Sequence, residues 1–353
     1  MNKQKIILST NLETSLKHAI DNCPYDKLFV LTDTHTSNLC MPYLRNMSYL
    51  EPFREIIVSP GDDHKNLEAL ASVWLELSKQ GATRHSLLIN LGGGMITDLG
   101  GFAAATFKRG IRYINIPTSL LAMVDASVGG KTGINFNGLK NEIGAFCPAH
   151  AVLLDTNFLL TLDSFNFFSG YAEMLKHGLI STDEHWSELL AFDVAQINYA
   201  RLGELVAQSV AIKEKIVEED PYEHGIRKAL NLGHTVGHAF ESLALAEGRP
   251  VLHGYAVAWG IVCELYLSHL KAGFPRDKMR QAIWFIRENY GSFYIDCKKY
   301  DRLYEYMLHD KKNKADVINF TLLEDVGSIK INQTADKEVI FEMLDFYREC
   351  MGL

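Results

Sequence analysis

The 353-residue chain is poor in cysteine, and its six cysteines (Cys23, Cys40, Cys147, Cys263, Cys297, Cys350) are scattered, with no C-x-x-C pair. That excludes a disulfide framework and a thiolate zinc site and reads as reduced, buried thiols. No stretch approaches the roughly 20 apolar residues of a membrane span. After Lys5 only three apolar residues precede Ser9, too few for the apolar core of a signal peptide. Positive charge is also in deficit: 35 Lys and Arg against 43 Asp and Glu leave a net charge of −8. Whole-surface attraction to nucleic acid or to an anionic membrane is excluded, so any anion must be held by a local basic cluster. Internal repeats and low-complexity tracts are absent. What remains, 47% hydrophobic and 22% charged residues, is ordinary globular composition with room for two domains. These features predict a cytoplasmic protein.

The first 155 residues alternate short apolar runs with helical patterns. Leu28–Leu31, Glu55–Val58, Ser86–Leu91 and Tyr113–Ile116 each end in turn residues, as strands buried on both sheet faces do. Leu67, Leu70, Ala71, Trp74, Leu75 and Leu77 fit a helix between two of them. This order predicts a mainly parallel sheet with ligands at the carboxyl ends of its strands. Beyond residue 160 helical periodicity takes over, through Leu202–Val217 and Ala256–Leu270, until a weak strand pair at Val317–Leu323 and Gly327–Ile331. The chain therefore reads as an α/β domain over residues 1–160 and a mostly α-helical domain over 161–353.

Several segments carry residue types suited to chemistry. Gly92-Gly93-Gly94-Met95-Ile96-Thr97-Asp98 follows a strand and opens a helix, where bare backbone and N–H groups can approach a pyrophosphate. It is not G-x-G-x-x-G, and a plain turn is the competing reading. Asp33 ends an earlier strand, placed either for a ribose hydroxyl or as a helix cap. Val124–Thr132 and Gly138–Asn141 are loop-like and hold Lys131 and Lys140, suited to phosphate capture or to plain solvation.

Arg227, Asn231, His234 and His238, spaced four, three and four, would share one face of a single helix. Gly233 and Gly237 cost that helix about 1 kcal/mol each, which implies close approach by a neighbour. Tyr171–His177 places Glu173, Lys176 and His177 on one helical face, and His253 opens the next apolar helix. Two histidines and one carboxylate with open positions form a catalytic zinc set, although Glu173 and Lys176 also fit an ordinary i,i+3 surface pair. Lys213 falls on the apolar face of Val206, Val210, Ile216 and Val217, so it either snorkels to an edge or neutralises an anion.

Together these segments resemble the 3-dehydroquinate synthase family from about Asp33 to Gly327. The matching motifs are the glycine run ending in Asp98, Pro117-Thr118-Ser119, Met123-Val124-Asp125, Gly129–Thr132, Lys140-Asn141, Ala172-Glu173 with Lys176, Asn231–His234 with His238, Leu252-His253-Gly254 and Asp310-Lys311-Lys312. The resemblance implies a Rossmann-like N-terminal domain, a mostly α-helical C-terminal domain, and catalytic use of NAD with Zn2+ or Co2+. By position, Asp33, Gly61, Asp62, Lys65, Gly93, Gly94, Met95, Asp98, Thr118, Ser119, Phe158 and Thr161 would contact NAD, with Lys131 and Lys140 near both cofactor and substrate. Glu173, His234 and His253 would hold the metal. Asp125, Lys131, Lys176, Lys213, Arg227, Asn231 and His238 would be catalytic, and Lys140, Asn141 and one of Lys311 or Lys312 would bind substrate. Arg109 would reach the partner's site in a homodimer.

The implied substrate is a small sugar-acid phosphate, 3-deoxy-D-arabino-heptulosonate 7-phosphate. Asp62 stands where glutamate is usual, His35 for asparagine, Tyr255 for glutamate and Ser119 for threonine, and none of these removes a metal ligand. Another sugar-phosphate cyclase, a metal-dependent polyol dehydrogenase and a non-catalytic NAD-binding protein are the competing readings.

Overall fold

The computed structural model describes residues 4–50, 52–137, 139–309 and 317–353. Lys311 and Lys312 lie outside the described residues. The chain divides into two compact units, Met1–Asp163 and Ser164–Leu353.

In the first unit the apolar runs become strands: β1 (Lys5–Leu8), β2 (Leu28–Asp33), β3 (Phe53–Val58), β4 (Leu87–Gly92) and β5 (Arg112–Pro117). A separate hairpin, β6 (Lys131–Phe136) and β7 (Leu139–Phe146), precedes β8 (Ala151–Leu154). Outside that hairpin, the strands described form one parallel sheet in the order β1-β8-β5-β4-β2-β3. Every residue of β2 and β4 is buried, which explains why both read as unbroken apolar runs rather than alternating ones. Helices α1 (Leu12–Asp21), α2 (Thr34–Leu39), α3 (Met41–Arg45), α4 (Leu67–Lys79) and α5 (Gly94–Thr106) complete the unit.

The chain leaves β2 for β3 on one side and returns across it to β4 on the other, so the strand order reverses at the β2–β4 pair. In open α/β sheets that reversal, at the carboxyl ends of the strands, opens the ligand crevice. Asp33 ends β2 and the glycine run begins where β4 ends.

The structure corrects the loop reading of Val124–Thr132 and Gly138–Asn141. Ala122–Ala126 is a π-helical turn, while Lys131 and Asn141 lie in the antiparallel β6–β7 ladder, where Gly133 faces Gly144. Most of β7 is exposed, so no buried apolar run marks it in the sequence.

The second unit is built from α6 (Ser164–Leu179), α7 (Asp183–Ala191), α8 (Tyr199–Glu219), α9 (His234–Ala246), α10 (His253–Ala272), α11 (Arg276–Tyr290), α12 (Tyr300–Leu308) and α13 (Lys337–Met351). An antiparallel hairpin, β9 (Phe320–Asp325) and β10 (Ser328–Gln333), stands where the weak strand pair was expected. Helix α10 packs against α6 and α9 with almost no space between main chains. A Cβ on Gly254 would stand 2.5 Å from the Cα and carbonyl carbon of Ser169 on α6. A Cβ on Gly260 would stand 2.7 Å from the Gly237 nitrogen, and one on Gly237 would stand 2.9 Å from the Ala256 oxygen. Gly233 and Gly237 thus meet the expectation of a close neighbour, and that neighbour is α10.

Candidate active site

The close packing of α6, α9 and α10 gathers their polar residues. Glu173 and Lys176, on α6, are 0% and 1% exposed, so they are a buried ion pair and not a surface one. Lys176 donates to Glu173 Oε2. Glu173 Oε1 is buried and accepts no hydrogen bond among the described residues. It lies 3.4 Å from His234 Nε2 and 3.5 Å from His253 Nε2, longer than an ordinary hydrogen bond. Burial would raise the Glu173 pKa, but the Lys176 ammonium and then His234 hold it well below the usual carboxylate range.

The outer nitrogens of both histidines are engaged elsewhere. His234 Nδ1 is 3.1 Å from the Leu232 carbonyl, which can only accept, so Nδ1 carries the proton. Burial holds the His234 pKa well below its ordinary value and keeps the ring neutral. Its Nε2 lone pair and Glu173 Oε1 are therefore two acceptors facing each other. His253 Nδ1 is 3.4 Å from Glu241 Oε2. Burial opposes protonation of His253, yet its contacts with Glu173 and then Glu241 raise its pKa to about 10. The ring of His238 lies 5.3 Å from that of His234 and 5.8 Å from that of His253.

This donor set fits a divalent metal. Ligand atoms about 2.0–2.1 Å from a tetrahedral zinc ion stand about 3.3–3.4 Å apart, close to the two separations measured here. The unbonded carboxylate oxygen is the group a cation would satisfy, and the engaged Nδ1 atoms orient the rings for it.

One sequence expectation is corrected here. Arg227, Asn231, His234 and His238 do not share a single helix: Arg227 and Asn231 lie in a 3-10 turn, Ile226–Asn231, and α9 begins only at His234. Gly233 breaks the run in a left-handed conformation (φ +79°), with its backbone so close to α10 that a Cβ there would stand 2.9 Å from the Val257 oxygen and 3.1 Å from the Ile261 nitrogen. Arg227 is buried and donates to the Pro221 carbonyl. Asn231 donates to Glu223 Oε1 at 2.8 Å. Lys213 is buried on α8, which packs against this turn, so the snorkelling alternative falls.

The sequence reading missed three carboxylates. Glu241 sits three residues after His238 on α9, a spacing that could have found it. Glu223, in a left-handed loop (φ +63°), and Glu264, on α10, carry no spacing signal.

In the first unit, Gly93 is the N-cap of α5 and no side chain caps that helix. A Cβ on Gly94 would press to 3.3 Å from the Ala126 Cβ, and one on Gly93 to 3.4 Å from Ser119 Oγ. Met95 and Asp98 lie in the first turns of α5, and the Thr118 N–H donates to the Gly92 carbonyl at 3.0 Å. This bare, uncapped helix start at the sheet's switch point fits the pyrophosphate of a dinucleotide. Asp33 caps α2 through Oδ1, which accepts from His35 and Thr36 N–H at 2.8 and 2.9 Å, so the cap reading is correct for that oxygen.

Gly61 (φ +101°) starts a 3-10 turn that delivers Asp62 and Lys65. The buried Lys65 ammonium donates to Asp98 at 3.0 Å and Asn141 at 2.8 Å and pairs with Asp62 at 3.2 Å. Burial pulls the Lys65 pKa down, but Asp98 and then Asp62 raise it above the ordinary lysine value. Lys140 pairs with the other Asp62 oxygen at 3.2 Å. Phe158 is buried edge-on against Tyr43, and the Thr161 hydroxyl donates to its carbonyl. Lys131 is exposed on β6, and Asp125 lies in the π-helical turn. Arg109 is exposed, and with Lys108 it forms consecutive left-handed residues (φ +68° and +49°).

Family models described as 3-dehydroquinate synthase N-terminal and C-terminal match residues 55–169 and 170–313. The chain is 56% identical over 353 residues to a 3-dehydroquinate synthase of Parabacteroides distasonis, covering all of both proteins. It is 34% identical to one of Clostridium tetani, covering 98% of this chain and 92% of that protein. Its fold matches the solved structure of ValA, a 2-epi-5-epi-valiolone synthase from Streptomyces hygroscopicus with NAD+ and Zn2+ bound, at a TM-score of 0.88 and 23% identity over 99% and 98% of the two chains. Among the described residues, no helix is long and apolar enough to cross a membrane.

Proposed function

The chain belongs to the 3-dehydroquinate synthase family, and from that premise we infer that it converts 3-deoxy-D-arabino-heptulosonate 7-phosphate to 3-dehydroquinate and inorganic phosphate. The enzyme is then a phosphate-eliminating carbon–oxygen lyase of the shikimate route to aromatic amino acids, working in the cytoplasm. One observation carries this reading: the buried, unbonded Glu173 oxygen faces imidazole nitrogens of His234 and His253 at 3.4 and 3.5 Å.

Glu173, His234 and His253 hold the divalent ion, and the residues at the start of α5 with Asp33, Gly61–Lys65, Thr118, Ser119, Phe158 and Thr161 hold NAD. When bound, the ion supplies charge that lowers the pKa of a substrate hydroxyl, and NAD supplies a hydride acceptor restored within each turnover. Arg227 pairs the substrate carboxylate with its planar fork. Lys176, Lys213 and Asn231 read the phosphate and hydroxyls, and His238 moves protons near neutral pH. Asp125, Lys131, Lys140 and Asn141 bind from the first unit's sequence, and Arg109 serves a second copy in a homodimer.

The test supplies substrate, NAD and Zn2+ and follows phosphate and NADH absorbance together. Phosphate release without net NADH, lost in His234→Ala, is the expected result. Steady NADH accumulation from simple polyols would support a polyol dehydrogenase instead.

A further inference from the structure

Glu264, on α10, is 0% exposed, and both of its carboxylate oxygens are spent on the main chain of another helix. Oε2 accepts the Gly233 N–H at 2.7 Å, and Oε1 accepts the Val236 N–H at 3.2 Å. These are N-terminal donors of α9, which a helix cannot satisfy from within. Ordinarily a Ser, Thr, Asp or Asn at the N-cap accepts such a bond. Here the N-cap is Gly233, which has no side chain: its φ is +79°, and a Cβ there would stand 2.9 Å from the Val257 oxygen. Glu264 therefore caps α9 from outside, with its negative charge at the positive end of the helix. One turn earlier on α10, Gly260 lies against the Gly233 carbonyl. The peptide groups on both sides of Gly233 are thus fixed by α10.

The residue that follows Gly233 is His234, whose ring is steadied by the Leu232 carbonyl and whose Nε2 lies 3.4 Å from Glu173 Oε1. We propose that Glu264 is a positioning residue of the metal centre: it fixes the first turn of α9 so that His234 Nε2 meets Glu173 and His253, and so sets the affinity for a divalent ion. This rests on the ligand set proposed above. Glu264 touches neither the ion nor substrate. It acts through the backbone that carries a ligand, as outer groups that orient metal-binding histidines do.

The test uses the full chain, stripped of metal, as wild type, Glu264→Gln, Glu264→Leu and Glu173→Gln. Three readouts apply: Zn2+ affinity by competition with a chromophoric chelator, the visible spectrum of the Co2+-loaded protein, and thermal unfolding. Glu264→Leu is expected to bind Zn2+ about 10- to 100-fold more weakly, with an altered cobalt spectrum. Glu264→Gln keeps the shape and one acceptor oxygen, so it is expected to fall between Leu and wild type. It decides the matter if the leucine variant does not fold. A lower melting temperature with wild-type zinc affinity and an unchanged cobalt spectrum would mean a structural cap only and would overturn the proposal. Wild-type zinc affinity in Glu173→Gln would instead overturn the ligand set, and the positioning role with it.

Discussion

Gly254 follows the proposed metal ligand His253 directly and packs its backbone onto Ser169, one turn before Glu173 on α6. Alanine at 254 places a methyl carbon 2.5 Å from the Ser169 Cα and carbonyl carbon, and the Ser169 oxygen is nearer still. Ordinary contact begins at 3.4 Å, so clearing the two carbons alone takes a retreat of α10 from α6 by about 0.9 Å, and clearing the oxygen takes more. Neither neighbour is the end of a flexible side chain, so the strain cannot be absorbed by a rotamer change. His253 Nε2, now 3.5 Å from Glu173 Oε1, moves with its helix. Metal–ligand distances tolerate about 0.2 Å, so the ligands cannot all close on one ion. Zinc affinity is expected to fall at least about a hundredfold, or about 2.8 kcal/mol. Overpacking costs about 1–3 kcal/mol, offset by about 1 kcal/mol of better helix propensity, leaving a net loss of at most about 2 kcal/mol. For a unit of this size that lowers the melting temperature by at most about 8 °C. Chelator competition and a metal-free thermal melt measure the two effects separately. Gly254→Ala with wild-type zinc affinity would refute the view that this contact spaces the ligands.

Glu241→Leu removes the acceptor of His253 Nδ1 and is expected to weaken zinc binding by about 10- to 100-fold, measured by the same competition. Lys65→Met leaves Asp98 and Asp62 without their shared ammonium; a loss of about 3 kcal/mol is expected in urea unfolding, together with weaker NAD binding by fluorescence titration. His185 is bonded through Nδ1 to Gln208 and through Nε2 to Ser209, and burial lowers its pKa from 6.5. Above pH 6.5 the ring is neutral whether the chain is folded or not; below it the unfolded chain takes up the proton first, so stability falls with pH. In His185→Gln that fall is expected to be shallower below pH 6.5, and parallel pH–stability curves would contradict it.

The parts of the fold that the sequence made legible are those where local pattern and burial coincide. β2 and β4 are buried on both faces, so their apolar runs were unambiguous. β1 and β8 are four residues each, too short to stand out. The carboxylate and two histidines that the structure brings within 3.5 Å were readable as candidates because each begins or lies within a strongly helical segment. The break at Gly233 was not, because the four-three-four spacing is helical and carries no trace of the close approach of α10 to that glycine. Glu264 was hidden for the same reason: its partners are main-chain groups, 31 and 28 residues away.

The Lys65 ammonium binds residues at three distant points of the sequence, positions 62, 98 and 141, and the Lys65 carbonyl accepts the Asn135 N–H at 2.7 Å. Asn135 also donates to the Asp62 carbonyl, at 2.9 Å. The Gly61–Lys65 turn and the β6–β7 hairpin therefore cannot open independently. Their amides are expected to exchange with deuterium as a single cooperative block, and a change that loosens one should raise the exchange rate across both.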